Sequence, residues 1–326
     1  MSLIGIEEHW TTPELKAALE SLPPELRDDS LAFNERGDHL TRLEDVGDGR
    51  IAAMDEQGID VQVLSVAPPA NGPLPAADAR RLARDLNDLA AEAVSRHPTR
   101  LLALATLPMA DPQAVSGEFE RASAAGFVGA MVYGRTGDVP LDDPRYDDLF
   151  STAARLGRPL FIHPQIPTRE VRAAQYGGLG DLTGLALSTF AWGWHLEAAT
   201  AALRLIASGA FDRHPELQIV LGHWGELLLF WLSRADGLSG LAGLDRTVSE
   251  YVRQNVHITA SGMFESALLR HALEVTTIDR LLFSTDYPFQ HPTGDEVEAF
   301  LGEFATDADR DAFAGGNAAR LFGIDV

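Results

Sequence analysis

Residues 101–125, LLALATLPMADPQAVSGEFERASAA, contain the unit that decides the fold of this chain. Residues 101–106 form a short apolar run, which is typical of a strand buried on both faces. Residues 112–125 form an amphipathic stretch of helix length. The stretch therefore predicts one strand followed directly by one helix.

The same unit recurs along the whole chain of 326 residues. Runs that resemble the first strand lie at residues 3–7, 60–66, 101–106, 128–133, 159–163, 218–222, 256–261 and 280–285. Segments of helix length lie between them, at residues 76–95, 112–125, 144–156, 196–207, 226–235, 265–274 and 296–304. Regular alternation of strand and helix predicts a parallel sheet.

Eight such units suit a closed (β/α)8 barrel, the TIM barrel, better than an open doubly wound sheet, which usually has fewer strands. The first strand also lacks the G-x-G-x-x-G motif of a dinucleotide fold. We expect one domain over residues 1–326. The connections at residues 11–49, 164–194 and 238–250 are unusually long, and we expect the first two to cover the C-terminal mouth of a distorted barrel as lids.

Composition restricts the partners of this chain. A net charge of −22 argues against nucleic-acid and anionic-membrane partners and leaves a small-molecule substrate. The sequence has no cysteine, so His, Asp and Glu must supply the ligands of any transition metal. The first predicted strand starts at residue 3, which leaves no room for a targeting signal. The longest strongly apolar stretch, 227–232, is shorter than the roughly 20 residues of a membrane span. We expect a cytoplasmic protein.

Polar residues with metal-binding capacity stand at the ends of several predicted strands. In IGIEEH, residues 4–9, Glu7 and His9 are two positions apart and therefore share a face. RPLFIHP places His163 at the end of the fifth strand, QIVLGHWGE places His223 after the sixth, and LLFSTDYPF places Asp286 after the eighth. A lone residue of this kind is more often structural, but joint placement at the mouth of a barrel predicts an active site.

These motifs resemble the amidohydrolase superfamily, in the branch of aminocarboxymuconate-semialdehyde decarboxylase and γ-resorcylate decarboxylase. The similar segments extend over nearly the whole chain, at residues 6–9, 50–65, 87–112, 126–134, 142–164, 202–226, 283–289 and 315–324. The resemblance implies one divalent metal ion, Zn²⁺ or Mn²⁺, held by Glu7, His9, His163 and Asp286. It also implies a homodimer or homotetramer.

Two sequence features refine that resemblance. The first strand carries E-x-H, as γ-resorcylate decarboxylases and their relatives do, whereas hydrolytic members usually carry H-x-H. Binuclear members bridge two metals through a carbamylated lysine at the end of the fourth strand. Here that strand ends in MVYG and Lys16 is the only lysine of the chain, so a single ion is expected.

The resemblance predicts decarboxylation of a hydroxylated aromatic acid. It implies that Asp286 protonates the carbon that loses CO2, that His223 assists proton transfer, and that Glu226 orients His223 or contacts the substrate. Glu226 has a simpler alternative as a stabiliser of a helix N-terminus.

The substrate contacts are predicted less directly. Arg50 matches an arginine that binds a substrate carboxylate, although pairing with Asp55 or Glu56 on its own helix is an alternative. Trp10 and Trp192 are candidates for an aromatic pocket, or they simply pack. A hydrolase or lactonase that uses metal-activated water is the competing function, and a barrel that binds a ligand without catalysis is a third.

Overall fold

The structure is a computed structural model that describes residues 2–324. Eight parallel strands in sequential order form a barrel surrounded by helices, which confirms the predicted TIM barrel. The strands are β1 (Ile4–Trp10), β2 (Val61–Val66), β3 (Leu101–Thr106), β4 (Gly129–Tyr133), β5 (Leu160–His163), β6 (Ile219–Leu221), β7 (Val256–Thr259) and β8 (Leu281–Leu282). All eight predicted strands are present, with differences only at their ends.

Helices and turns fill the connections between the strands. The longer α-helices are Pro13–Glu20, Asp48–Gln57, Ala76–Arg96, Pro112–Ala124, Asp147–Leu156, Asp181–Ser188, Gly193–Ala207, Val248–Asn255, Ser266–Val275 and Gly294–Leu301. Shorter ones are Leu31–Asn34, His39–Glu44, Arg169–Gln175, Ala210–Arg213, Leu232–Ala235, Gly237–Ala242, Asp307–Asp311 and Asn317–Phe322. Within residues 2–324, none of the helices combines the length and the apolar character needed to traverse a lipid bilayer.

The barrel closes at its mouth, between β1 and the segment that follows β8. The backbone N–H of His9 donates to the carbonyl of Tyr287 at 2.7 Å, and Glu8 and Tyr287 form a parallel bridge. The buried Glu8 carboxylate adds two bonds across the same seam, because it accepts from the Thr285 N–H at 2.9 Å and from the Thr285 hydroxyl at 2.6 Å. The closing contacts therefore lie beside the predicted site.

A bulge in β1 decides where its polar side chains point. Gly5 pairs with Gln62 and Glu8 with Leu64, so β1 has one more residue than β2 over this interval. Ile4 and Ile6 pack in the core cluster inside the barrel. The extra residue reverses the alternation beyond Ile6, because a bulge puts two residues of one strand opposite one of its partner. Glu7 then also points inward, and Glu8 faces outward.

One predicted helix, residues 226–235, is wrong. Residues 223–227 instead have positive φ angles, between +46° at His223 and +81° at Gly225. A 3-10 turn, Leu228–Trp231, and the short helix Leu232–Ala235 follow. Left-handed backbone costs about 1–2 kcal/mol per non-glycine residue, so packing around this turn must stabilise it.

The two expected lids lie across the mouth and contact each other. An Arg169 guanidinium N–H donates to the carbonyl of Pro24 at 2.6 Å, and Arg172 forms an ion pair with Asp29 at 2.7 Å. The ring of Phe33 in the first lid meets that of Phe190 in the second edge to face, with centroids 5.1 Å apart. Beneath the lids, Glu7, His9 and His163 are buried, whereas the side chains of His223 and Asp286 keep 13% exposure.

Candidate active site

Strands β1 and β5 bring three predicted metal ligands together. Glu7, His9 and His163 each offer one ligand atom, and these atoms all lie within 4.8 Å of one another. The side chains are buried, at 0%, 0% and 2% exposure. The Nε2 atom of His163 is 3.6 Å from Oε1 of Glu7, and the two imidazole rings meet edge to face at 4.9 Å.

Within this group, two buried atoms have no hydrogen-bond partner: Oε1 of Glu7 and Nε2 of His9. The other oxygen of Glu7 accepts from the hydroxyls of Thr259, at 3.1 Å, and Ser261. The other nitrogen of His9 lies 3.2 Å from the hydroxyl of Ser65. Buried polar atoms are nearly always hydrogen-bonded. Two unpaired atoms, on side chains whose other polar atoms are hydrogen-bonded, are the arrangement expected of metal ligands.

His163 completes this donor set. Its Nδ1 lies 2.6 Å from the carbonyl of Pro164, so this nitrogen carries the hydrogen and Nε2 keeps its lone pair. Burial, with the neighbouring His9, lowers the pKa of His163 to about 3 and keeps the ring neutral. Burial raises the pKa of Glu7 to about 7, a cost that a bound cation would remove.

Asp286 stands between this donor set and a second group of polar side chains. Its Oδ1 is 3.2 Å from Nε2 of His9, and its Oδ2 is 3.7 Å from Nε2 of His223. Burial by itself raises the pKa of Asp286, but the adjacent imidazoles of His223 and His9 outweigh burial and lower the pKa to about 2. The backbone φ of Asp286 is +61°, a strained conformation that is common at functional sites.

The second group consists of His223, Glu226 and His195. Glu226 is 0% exposed, and its Oε1 lies 2.9 Å from Nδ1 of His223 while its Oε2 lies 2.6 Å from Nδ1 of His195. Burial raises the pKa of Glu226, yet the charge of His223 and the bonds from both imidazoles lower it to about 2. The pKa of His223 is raised well above its usual range, because Glu226 and Asp286 together outweigh its burial.

The resemblance implied a contact between His223 and Glu226, but it did not indicate the local backbone geometry. The two residues lie on the left-handed turn and not at the start of a helix. Glu226 therefore does not stabilise the N-terminus of a regular helix, and its carboxylate serves the two imidazoles.

Arg50 has a different position from the predicted one. Its side chain is 0% exposed, and the guanidinium donates to the carbonyls of His9 at 2.5 Å and Asp45 at 2.8 Å and to the side-chain oxygen of Gln62 at 3.2 Å. It also lies over the ring of Tyr287, 4.7 Å from the ring centroid. These contacts occupy the planar fork, so Arg50 holds the barrel seam together and does not present a free edge to a substrate.

The alternative pairing of Arg50 with its own helix is also wrong. Asp55 instead pairs with Arg100 at 2.7 Å, and Glu56 is exposed. Glu8 is the nearby acidic group, linked to Arg50 through Gln62, which donates to Glu8 at 3.2 Å. Burial raises the pKa of Glu8 to about 7, and hydrogen bonds from Thr285 together with the charge of Arg50 limit the rise.

The structure separates the two tryptophans suggested for the pocket. Trp10 is 2% exposed and packs in the large core cluster between sheet and helices, as its alternative interpretation predicted. Trp192 lies in the second lid just before the helix Gly193–Ala207, and it is 47% exposed.

Other aromatic rings surround the two imidazoles. Phe289 lies 5.7 Å from His9, and Tyr133 and Trp194 lie 5.8 Å and 6.3 Å from His163, between ring centroids. No motif in the sequence marked these three residues as part of a site. Tyr133 and Phe289 stand at or soon after strand ends, a signal that could have identified them, whereas Trp194 lies in the second lid, where no periodic pattern marks a site.

The fold and the donor set define the class: a (β/α)8-barrel protein with a candidate mononuclear metal centre at the C-terminal mouth. The chain belongs to the amidohydrolase family, whose model matches residues 23–324.

Named relatives are similar to this chain over its full length. The γ-resorcylate decarboxylase of Rhizobium radiobacter is 35% identical over 340 residues, which cover 99% of this chain and 98% of that protein. The crystal structure of 5-carboxyvanillate decarboxylase from Sphingomonas paucimobilis has a TM-score of 0.89 at 34% identity, covering 99% of each chain. A dihydroxybenzoic acid decarboxylase from Polaromonas sp. JS666, with bound manganese and the inhibitor 2-nitroresorcinol, has a TM-score of 0.85 at 33% identity and covers 99% of this chain and 97% of that one.

Proposed function

We propose that this protein is a metal-dependent, non-oxidative decarboxylase of a hydroxylated aromatic carboxylic acid. The observation that carries the proposal is the pair of unpartnered buried donors, on Glu7 and His9, beside an Asp286 that also faces His223. The decarboxylases that are similar over the full length support this reaction class.

Glu7, His9, His163 and Asp286 would hold the metal ion. Mn²⁺ is favoured by the manganese in the Polaromonas relative, and Zn²⁺ also suits a donor set of carboxylates and imidazoles. When bound, the cation supplies positive charge that attracts the oxygens of an anionic substrate into a chain of net charge −22.

The polar residues beyond Asp286 supply the proton. Decarboxylation breaks the bond between ring and carboxyl carbon, leaves the electron pair on the ring, and requires a proton at that carbon as CO2 departs. Asp286 is the group placed to deliver it. His223, held protonated beside Glu226, faces the other oxygen of Asp286 and is the adjacent group that carries a proton.

The surroundings favour a flat, apolar substrate ring. Tyr133, Trp194 and Phe289 present their rings to the imidazoles of the donor set. Aromatic rings pack well against one another in offset or edge-to-face arrangements.

The direct test combines metal analysis with a CO2-release screen of hydroxybenzoates. We expect one ion per chain, CO2 from at least one ortho-hydroxy acid, and one deuterium at the carbon that lost CO2 when the reaction runs in D2O. Asp286→Asn removes the proposed acid, and Asp307→Asn, at an exposed site, is its matched control. Bound metal with ester, lactone or amide hydrolysis and no CO2 would establish the competing hydrolase.

We propose that the enzyme works as a cytoplasmic homodimer or homotetramer. Large apolar side chains are exposed at the second lid and in the segment after β6, among them Phe230, Trp231 and Leu241 at 53%, 66% and 88%. Such exposure is typical of interfaces. Light scattering after size exclusion should give a dimer or tetramer mass, and a monomer at micromolar concentration would contradict this proposal. Fractionation of expressing cells tests the compartment.

A further inference from the structure

His195 has no part in the reaction as proposed so far, although both of its ring nitrogens are engaged. Its side chain is 15% exposed. Nδ1 lies 2.6 Å from Oε2 of Glu226, and Nε2 lies 3.0 Å from the backbone carbonyl of Phe190 in the second lid. His195 therefore connects the lid backbone to a carboxylate that is fully buried.

Glu226 links the imidazoles of His195 and His223, so the position of one ring affects that of the other. Each of its oxygens is occupied by one ring, Oε2 by His195 and Oε1 by His223 at 2.9 Å. The two rings meet edge to face with centroids 4.8 Å apart. Because Glu226 also lies on the left-handed turn, with φ of +55°, its backbone has little freedom to compensate for a lost partner.

His223 then presents its far nitrogen to Asp286. The distance between Nε2 of His223 and Oδ2 of Asp286 is 3.7 Å, slightly beyond hydrogen-bond length. A small rotation of the His223 ring is enough to make or to lose that bond. The orientation of the ring is set by its bond to Glu226, which His195 holds from the other side.

We propose that His195 is a positioning residue that couples closure of the second lid to the orientation of His223 at Asp286. The lid that carries the Phe190 carbonyl also contacts the first lid, through the edge-to-face pair of Phe190 and Phe33. The position of the second lid and the orientation of the His223 ring are then linked through His195 and Glu226. The inference rests on the proposed decarboxylase function.

Three substitutions separate the two bonds of His195. His195→Asn retains an amide near the position of Nδ1 and can still donate to Glu226, but it cannot reach Phe190. His195→Gln places its amide near the position of Nε2 and retains the lid contact alone. His195→Phe removes both bonds and keeps the ring shape. His97, at the opposite end of the barrel, provides matched controls as His97→Asn and His97→Phe.

The measurements are kcat and KM for CO2 release, together with the ¹⁵N resonances of the His223 ring in Zn²⁺-loaded protein without substrate. Loss of one charge-assisted hydrogen bond predicts a kcat lower by about 10- to 100-fold for His195→Phe, with KM within about twofold. We expect His195→Asn to recover most of kcat, and His195→Gln to resemble His195→Phe. The His223 resonances should move in the Phe and Gln variants, and the bound metal should remain at one ion per chain.

The outcomes distinguish this inference from the proposed function. If wild-type protein releases no CO2 from any hydroxybenzoate, the proposed function fails, and the His223 resonances alone decide whether His195 positions that ring. Unchanged His223 resonances in His195→Phe, or a His195→Asn variant as impaired as His195→Phe, would overturn the inference. His195→Gln provides the same test if the Phe variant does not fold.

Discussion

Replacement of Glu7 by glutamine should raise the stability of the metal-free protein and weaken its metal binding. Glutamine can accept from Thr259 and Ser261 through its carbonyl, so those two bonds are retained. Its amide nitrogen then occupies the position of the unpartnered Oε1, where it cannot serve as a ligand. The two effects have opposite signs, which makes the prediction specific.

The magnitude follows from the pKa of Glu7. Burial raises that pKa from 4.5 to about 7, so the folded metal-free protein binds more protons than the unfolded chain between these values. Stability then falls as pH rises through this window, by about 3 kcal/mol in total at 1.36 kcal/mol per pKa unit. At pH 8 glutamine avoids this cost, and with an unfolding entropy of about 2.1 cal/mol/K per residue the melting temperature rises by roughly 4–5 °C.

The assay is calorimetry of metal-free protein at pH 5 and pH 8, followed by metal competition with a chelator. We expect the variant to be more stable than wild type at pH 8 and about equally stable at pH 5. Its metal affinity should be at least about 100-fold weaker, because even residues that hydrogen-bond to the ligands contribute 10- to 100-fold to metal affinity. Glu56→Gln, on an exposed helix face, is the matched control. Wild-type metal affinity together with lower stability at pH 8 would refute the assignment of Glu7 as a ligand.

Three further changes test other parts of the site. Asp286→Asn should lower the rate of CO2 release by about 10²- to 10⁴-fold, whereas Asp307→Asn should leave it unchanged. Arg50→Met should lower the free energy of unfolding by about 3–5 kcal/mol in urea titrations, because it leaves buried hydrogen-bond partners unpaired. The KM should not change. A large rise in KM at unchanged stability would instead identify Arg50 as a substrate contact. Glu8→Gln should reduce the loss of metal-free stability between pH 5 and pH 8, since burial raises the pKa of Glu8 to about 7, and an unchanged slope would count against that cause.

The barrel was predictable because its signal is local and repeated. Each short apolar run and each amphipathic stretch indicates its own element, and the C-terminal ends of parallel strands must meet at one mouth. The proximity of Glu7, His9 and His163 follows from that geometry together with the period of a strand. The family resemblance added the E-x-H motif and was confirmed by the match over residues 23–324.

The errors occurred where distant contacts override the local pattern. The stretch 226–235 has helix length, yet packing of His223 and Glu226 against His195 and Asp286 favours a left-handed turn at its start. Arg50 lies 41 positions from His9, whose carbonyl it contacts, and no local pattern reports such a bond. His195 lies on the first turn of the helix Gly193–Ala207, and its partner Glu226 is 31 positions away.

The most direct test of the central claim is anomalous diffraction from crystals grown with Mn²⁺. We expect a single anomalous peak within roughly 2.0–2.3 Å of Oε1 of Glu7, Nε2 of His9, Nε2 of His163 and a carboxylate oxygen of Asp286. A peak elsewhere, two peaks at the mouth, or fully loaded protein without density at these four side chains would contradict it.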